Sequence, residues 1–173
     1  SDCTGSPQAL SLGLPAGEQL DYAIWSPDGK AILVVTERPG LEPQTRSLVT
    51  TYLINESQKD PVVVTRVQGP LVRPDWSPDS THAVVVSPSS GEVQALDRAG
   101  RVVWTASLPV TSLGNPRWSP DGQHIDVHAE VYTDSEGITT YMSYVYVLEA
   151  ETGRTRFRVV GASACGQNWT ADG

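Results

Sequence analysis

Trp25-Ser26-Pro27-Asp28-Gly29 is the stretch that decides the fold, because it recurs along the chain. It returns as Trp76-Ser77-Pro78-Asp79-Ser80 and as Trp118-Ser119-Pro120-Asp121-Gly122, and a weaker copy is Trp169-Thr170-Ala171-Asp172-Gly173. Four of the five tryptophans therefore occupy one repeated position. The copies lie roughly 40 to 50 residues apart, a period typical of solenoids, propellers and other arrays. The sequence thus predicts a repeat architecture.

The residues after each tryptophan suit a type I turn that closes a β-hairpin. Proline presets φ at the first central position, aspartate suits the second, and glycine takes the left-handed position that follows. Ser80 replaces that glycine in the second copy, so we expect a strained or differently closed turn there. Each tryptophan ends the preceding strand, and we expect its ring to wedge between neighbouring sheets, where it buries a large apolar surface.

Composition restricts the function classes. The chain has 173 residues, a net charge of −8 and a pI near 4.7. Nucleic acids and anionic membrane surfaces both require basic patches, so neither is an expected partner. No apolar run approaches the roughly 20 residues of a membrane span. The polar first residues do not resemble a signal peptide, and we expect a processed or trimmed start.

Short apolar runs separated by turn signals divide the chain into units of four strands. A terminal strand is predicted at 8–14, blade one at about 20–67, blade two at about 71–107, blade three at about 113–160, and the start of a next blade at 164–173. No stretch holds a helical period long enough to compete. We therefore predict an all-β chain.

The repeated Trp-Ser-Pro-Asp-Gly followed by an apolar strand resembles the repeat of TolB-like and WD-repeat-like β-propellers. Prolyl-oligopeptidase-type enzymes carry similar propellers as gating domains. The resemblance implies three complete four-stranded antiparallel blades, packed radially, and a partial fourth blade built from the N- and C-terminal strands. Such an open stack is a fragment of a longer propeller, closes with another copy or subunit, or folds alone.

Two cysteines, Cys3 and Cys165, lie near opposite ends of the chain. Two reduced, buried thiols are one possibility. A disulfide between them would close a very long loop and would join the ends of the partial fourth blade. If it forms, the protein is extracytoplasmic: periplasmic, at the cell surface or secreted.

Two constellations suggest chemistry, and both are set aside. His124, Asp126 and His128 share one face of a strand and could bind a metal, but His82 occupies the repeat position of His124, so we predict no metal site and no cofactor. Gly161-Ala-Ser163-Ala-Cys165 nearly spells a nucleophile elbow, yet cysteine replaces the second glycine and no helix follows. We find no catalytic set and predict a chain that is not an enzyme.

Two expanded loops, 37–47 and 132–139, should project from one rim of the propeller, where binding usually occurs, although merely solvated loops are an alternative. The predicted binding residues are Arg38, Glu42, Arg46, Tyr132, Asp134 and Glu136. The leading functional hypothesis is a non-enzymatic module that scaffolds protein–protein contacts. Its expected partners are another protein, the remainder of a longer propeller chain, or a second copy that closes the stack. Alternatives are a gating or substrate-binding propeller of a larger hydrolase, or a propeller that binds a surface ligand or carbohydrate.

Overall fold

Twelve β-strands form three sheets in the part of the chain that the structure describes. A computed structural model describes residues 14–40, 45–56, 60–135, 138–161 and 169–170. The first sheet contains β1 (Gln19–Trp25), β2 (Ala31–Arg38), β3 (Leu48–Asn55) and β4 (Val62–Gln68). The second contains β5 (Asp75–Trp76), β6 (His82–Ser87), β7 (Glu92–Asp97) and β8 (Val102–Ser107). The third contains β9 (Ser112–Trp118), β10 (His124–Ser135), β11 (Ile138–Glu149) and β12 (Thr155–Val160).

Each sheet is antiparallel, and its strands follow the chain order. The predicted all-β chain with three four-stranded antiparallel blades is confirmed. No helix among the described residues is long and apolar enough to cross a membrane. The terminal strand predicted at 8–14 and the next blade predicted at 164–173 fall almost wholly outside the described residues, as do Cys3, Cys165 and Asp172.

The sheets pack face to face, with β4 against β6 between the first and second sheets and β5 and β6 against β9 between the second and third. One apolar cluster joins the first and second sheets and contains Leu33, Leu53, Trp76 and Ala83. A larger cluster joins the second and third sheets. Strand β6 is buried from Ala83 to Val86 because a sheet lies on each side of it. Burial therefore orders the three sheets in a stack.

The three fully described copies of the motif form the same turn. In each copy the serine hydroxyl donates a hydrogen bond to the aspartate two residues later, at 2.5–2.6 Å. The residue three after the serine donates its backbone N–H to the serine carbonyl, at 2.8–2.9 Å. Its φ is +70° at Gly29, +63° at Ser80 and +73° at Gly122. The hydrogen bond from Ser119 holds the pKa of Asp121 below its usual range, so this carboxylate is the charged acceptor that the turn needs.

Ser80 has a left-handed backbone conformation, which residues other than glycine rarely adopt, and its side chain makes a contact that glycine could not make. The turn closes as in the other copies, but with the strain expected of a non-glycine residue. The side chain is buried, and its Oγ accepts a hydrogen bond from the backbone N–H of Asp28 at 3.0 Å. Asp28 belongs to the first sheet's turn, so the serine hydroxyl links two blades.

We expect Ser80→Ala to lower the free energy of unfolding by about 1 kcal/mol, because it removes the inter-blade hydrogen bond and keeps the strained φ. Ser80→Gly also removes the bond but releases the strain, since glycine adopts positive φ freely. Its loss should therefore be smaller. Chemical denaturation of both variants checks the order, and an alanine variant as stable as the glycine variant would contradict it.

The tryptophans show which faces of the stack are covered. Trp76 and Trp118 are only 4% and 9% exposed. Trp76 lies in one apolar cluster with Ala31 of the first sheet, and its Nε1–H donates to the carbonyl of Ile24 at 3.2 Å. Trp25, in contrast, is 61% exposed. The prediction that every indole is wedged between two sheets is wrong for Trp25, because this ring faces away from the second sheet and no described sheet covers that side.

Trp169 lies against the third sheet at a position equivalent to that of Trp76 on the first, although it is only half-buried. Its ring stacks on His124 with the centroids 6.2 Å apart and the planes at 24°. His124 lies six residues after Trp118, as Ala31 lies six residues after Trp25. The fourth tryptophan therefore sits against the third sheet in the place where Trp76 sits against the first.

Candidate interaction surface

The β10–β11 hairpin is the feature that distinguishes the third sheet. Its strands have 12 residues each, whereas β6 and β7 have 6 each. Both hairpins begin at equivalent places, since His124 pairs with Glu149 as His82 pairs with Asp97. At about 3.3 Å per residue, the third hairpin extends roughly 20 Å further. This extension starts near Glu130 and projects from the rim.

One face of the projecting hairpin combines aromatic and acidic groups. Antiparallel pairing places Tyr132 opposite Tyr141, with Asp134 and Glu130 on either side of Tyr132 on the same face. Tyr132 is 45% exposed and Tyr141 is 54% exposed. The ring of tyrosine is apolar and is usually buried, while its hydroxyl group contacts water. Two neighbouring exposed tyrosine rings therefore indicate an interaction surface.

Glu130 fixes the orientation of both tyrosine rings. The hydroxyl of Tyr141 donates to Glu130 Oε1 at 3.0 Å, and the hydroxyl of Tyr132 donates to Oε2 at 2.5 Å. The two ring centroids are 5.4 Å apart with the planes at 43°. The hydrogen bond to Glu130 raises the pKa of Tyr132 to about 12, so this phenol stays protonated and keeps donating at neutral pH. The aromatic pair is therefore held in one arrangement before any partner binds.

A groove of about 570 Å³ runs from the base of this hairpin to the first sheet. Its lining includes Arg46, Ser89, Thr111 and Tyr132, so each of the three sheets or its connections contributes. Arg46 Nη1 donates to Ser89 Oγ at 3.1 Å, and the backbone N–H of Tyr132 donates to Thr111 Oγ1 at 2.9 Å. The structure thus brings Arg46 and Tyr132 to one groove, although they are 86 positions apart by their numbers in the sequence (132−46).

The other predicted binding residues fall in different places. Arg38 ends β2 and Asp134 lies near the tip of the hairpin; both are exposed, and neither lines the groove. Glu42 and Glu136 lie outside the described residues. Sequence reasoning missed Glu130 and Tyr141, which complete the aromatic arrangement. Tyr141 follows from the observed strand register, which pairs Ser135 with Ile138 and therefore Tyr132 with Tyr141.

A second unusual site lies on the face of the third sheet that points away from the second. Asp126 and His128 are only 6% and 7% exposed. Asp126 Oδ1 and His128 Nε2 have no hydrogen-bond partner in the part of the chain that is described. Asp126 lies eight residues after the tryptophan of its motif. The equivalent positions in the first and second sheets hold Leu33 and Val84. Polar groups thus replace an apolar core at this face.

Burial is the largest influence on the pKa of Asp126. Burial raises the pKa of Asp126 to about 6, and the nearby charge of Asp75 adds to the rise. Arg117, its cross-strand partner, acts in the opposite direction but does not offset the burial. The described residues include no group of three or more His, Cys, Asp or Glu side chains placed to hold a metal ion. His124, the remaining member of the set considered above, contacts Trp169 and lies 2.7 Å from Arg156 Nη1.

Comparison with known proteins identifies the fold. No family model and no curated protein matches the chain. Solved structures do match it. An acylaminoacyl peptidase from Pyrococcus horikoshii has a TM-score of 0.62 and 11% identity, over 83% of this chain and 25% of that chain. The β-propeller domain of the Trilobed protease from Pyrococcus furiosus, which has an open velcro topology, gives 0.53 and 15%, over 80% and 43%.

A third similar structure is regucalcin, a calcium-binding protein from Agrobacterium tumefaciens, with a TM-score of 0.51 and 16% identity, over 82% of this chain and 45% of that chain. The chain therefore spans between a quarter and just under half the length of these proteins. At such identities the likeness concerns the fold alone. Together with the three stacked antiparallel sheets, it shows that this chain has a β-propeller fold, of which the described residues form three blades.

Proposed function

We propose that this chain is a non-enzymatic β-propeller module that scaffolds protein–protein contacts through the projecting β10–β11 hairpin. One observation carries the proposal: the exposed pair Tyr132 and Tyr141 is held rigidly by Glu130. Tyrosine is enriched at protein interfaces, and pre-oriented side chains lose little entropy when they bind. A stacked-sheet scaffold that presents a hairpin roughly 20 Å beyond its neighbour suits such a role.

The outward faces of the stack support additional contacts with propeller-type sheets. Trp25 on the first sheet is 61% exposed, and Phe157 on the third is 51% exposed. In the second sheet the position of Phe157 holds Trp104, whose Nε1–H donates to the carbonyl of Ala150 in the next sheet at 2.9 Å. Inside the stack, the aromatic residue at each of these two positions contacts a neighbouring sheet. At the two ends of the stack, Trp25 and Phe157 have no described sheet opposite them. The remainder of a longer propeller chain is the occupant we propose, and a second copy is the alternative.

The cellular setting and the narrower family are part of the same proposal. An extracytoplasmic location rests on Cys3 and Cys165, because a disulfide needs an oxidising compartment. Membership among TolB-like propellers rests on the repeated Trp-Ser-Pro-Asp-Gly motif. Intact mass of the native protein with and without reductant decides whether the two cysteines are joined.

The hairpin hypothesis predicts the effect of charge reversal at its aromatic pair. We expect Tyr132→Glu combined with Tyr141→Glu to reduce the amount of partner that co-purifies from the native cells by about tenfold or more, because two aromatic anchors become charges. The matched control is Val102→Glu combined with Val103→Glu, an exposed apolar pair on β8 that belongs to neither proposed contact surface. Quantitative mass spectrometry of the captured partners measures both. Equal partner recovery with the hairpin variant and the wild type would contradict the proposal.

A gating or substrate-binding propeller of a larger hydrolase is the second candidate. The specific observation that favours it is that two of the similar structures belong to a peptidase and a protease, of which this chain spans only 25% and 43%. Native polypeptide extending beyond Gly173 with a Ser/His/Asp set would decide for it. The same intact-mass measurement detects such an extension.

A further inference from the structure

The aromatic and acidic face of the hairpin also indicates what kind of partner it fits. This inference rests on the proposed function and specifies the partner's chemistry. We propose that the face formed by Glu130, Tyr132, Asp134 and Tyr141 binds an arginine-containing basic segment of a partner protein. A guanidinium group stacks on the tyrosine pair, and Asp134 supplies the opposite charge.

The chain itself shows that its tyrosine rings accept guanidinium groups. Arg73 Cζ lies 4.6 Å above the centroid of the Tyr22 ring, and Arg158 Cζ lies 5.1 Å from that of Tyr144. Arginine is the usual cation in such contacts because its planar, weakly hydrated group stacks on aromatic faces. No cation of the described residues lies over the ring of Tyr132 or Tyr141, although both rings are about half exposed. Their faces are thus available to a cation from outside.

Charge on this face favours a basic partner over an acidic or an apolar one. Asp134 lies two residues beyond Tyr132 on the same face and is exposed. The whole chain carries a net charge of −8, which attracts basic segments during association. An acidic segment would meet Asp134 and the carboxylate of Glu130. A purely apolar segment would have to desolvate these groups and the polar side chains Thr139 and Ser143 that share the face.

Glu130 acts here as a positioning residue. Both of its carboxylate oxygens accept tyrosine hydroxyls, so its role is to hold the rings and not to contact the guanidinium group. Ser143 Oγ donates to the hydroxyl of Tyr141 at 2.8 Å and adds to this arrangement. A partner therefore meets two rings that are already aligned, which lowers the entropic cost of binding.

Isothermal titration of the whole chain with a blocked Gly-Arg-Gly-Arg-Gly peptide tests the proposal. We expect binding that weakens with added salt, and at least about fivefold weaker binding of the same peptide with citrulline, which keeps the shape but removes the charge. Tyr132→Leu combined with Tyr141→Leu should weaken arginine-peptide binding by about tenfold. The double phenylalanine variant keeps both ring faces but loses the hydrogen bonds to Glu130, so its affinity should lie between those of the wild type and the leucine variant.

The charge contribution has its own matched pair of variants. Asp134→Asn should weaken binding of the arginine peptide by about threefold or more, whereas Glu151→Gln, which removes an exposed acid at the opposite end of the third sheet, should leave it unchanged. Equal binding of the citrulline peptide, no effect of the leucine variant, or an equal effect of Glu151→Gln would each overturn the proposal. If the tyrosines are needed for the native partner while the arginine peptide neither binds nor competes, the basic chemistry is wrong and the interaction surface stands.

Discussion

Trp76→Ala is expected to lower the free energy of unfolding by about 3–5 kcal/mol, the range found when a buried Trp or Phe is truncated to alanine. The ring is 4% exposed and lies in the apolar cluster that joins the first two sheets. Its Nε1–H also donates to the carbonyl of Ile24, which would lose this partner. Both losses fall at the interface between two blades. Urea denaturation followed by far-ultraviolet circular dichroism measures the change.

Trp25→Ala provides the matched control, because it alters the same position of the same motif. Trp25 is 61% exposed, so its truncation should cost less than about 1 kcal/mol. Trp118, at 9% exposure, should behave like Trp76. A loss at Trp25 as large as that at Trp76 would show that another sheet covers Trp25 in solution. Similar small losses at all three positions would mean that the indoles do not hold the blades together.

The contrast between Trp25 and Trp76 shows how far the sequence predicts this fold. The recurring motif identified the turns because proline, aspartate and glycine each restrict the backbone locally, so nothing distant was needed. The short β-branched runs predicted the strands that pair in each sheet, such as the run that forms β6. The number of four-stranded sheets could therefore be predicted. Burial of a given tryptophan could not, because it depends on which sheet lies opposite.

Ser80 and Glu130 illustrate what sequence reasoning leaves out at the level of side chains. The replacement of glycine by Ser80 indicated a strained turn, but its hydrogen bond to Asp28 spans 52 positions and depends on the packing of two blades. The two expanded loops, 37–47 and 132–139, predicted that Arg46 and Tyr132 lie on the same side of the propeller. Both residues line one groove in the structure. The bridging of Tyr132 and Tyr141 by Glu130 depends on the register of a hairpin whose length the sequence did not specify.

Asp126 is a different case, since its position in the repeat carries a signal that could have been read. The equivalent residues in the first two sheets are Leu33 and Val84, both completely buried. An aspartate at such a position predicts either a charged partner or a raised pKa. The structure shows the second outcome: Oδ1 has no partner among the described residues, and burial raises the pKa to about 6. This site therefore lowers the stability of the chain at neutral pH.

Asp126→Val, which installs the residue found in the second sheet, is expected to raise the free energy of unfolding by about 1–3 kcal/mol at pH 8. The folded state raises this pKa from 3.8, so it binds a proton that the unfolded chain releases. In the wild type, the contribution of Asp126 to stability therefore falls as the pH rises from about 4 to about 6, and it stays lower above that window. The variant lacks this fall, so its advantage should be much smaller at pH 4, where Asp126 is neutral in the folded state.

Asp134→Asn separates the local cause from a general charge effect. It removes a carboxylate from the same strand, β10, but at an exposed position near the hairpin tip, so it should leave the unfolding free energy within about 0.5 kcal/mol at both pH values. Thermal or urea unfolding at pH 4 and pH 8 measures all three proteins. A stabilisation shared by both variants would reflect relief of the net charge of −8. A loss of stability in Asp126→Val at pH 8 would mean that the attraction of Arg117 outweighs the cost of burying the carboxylate.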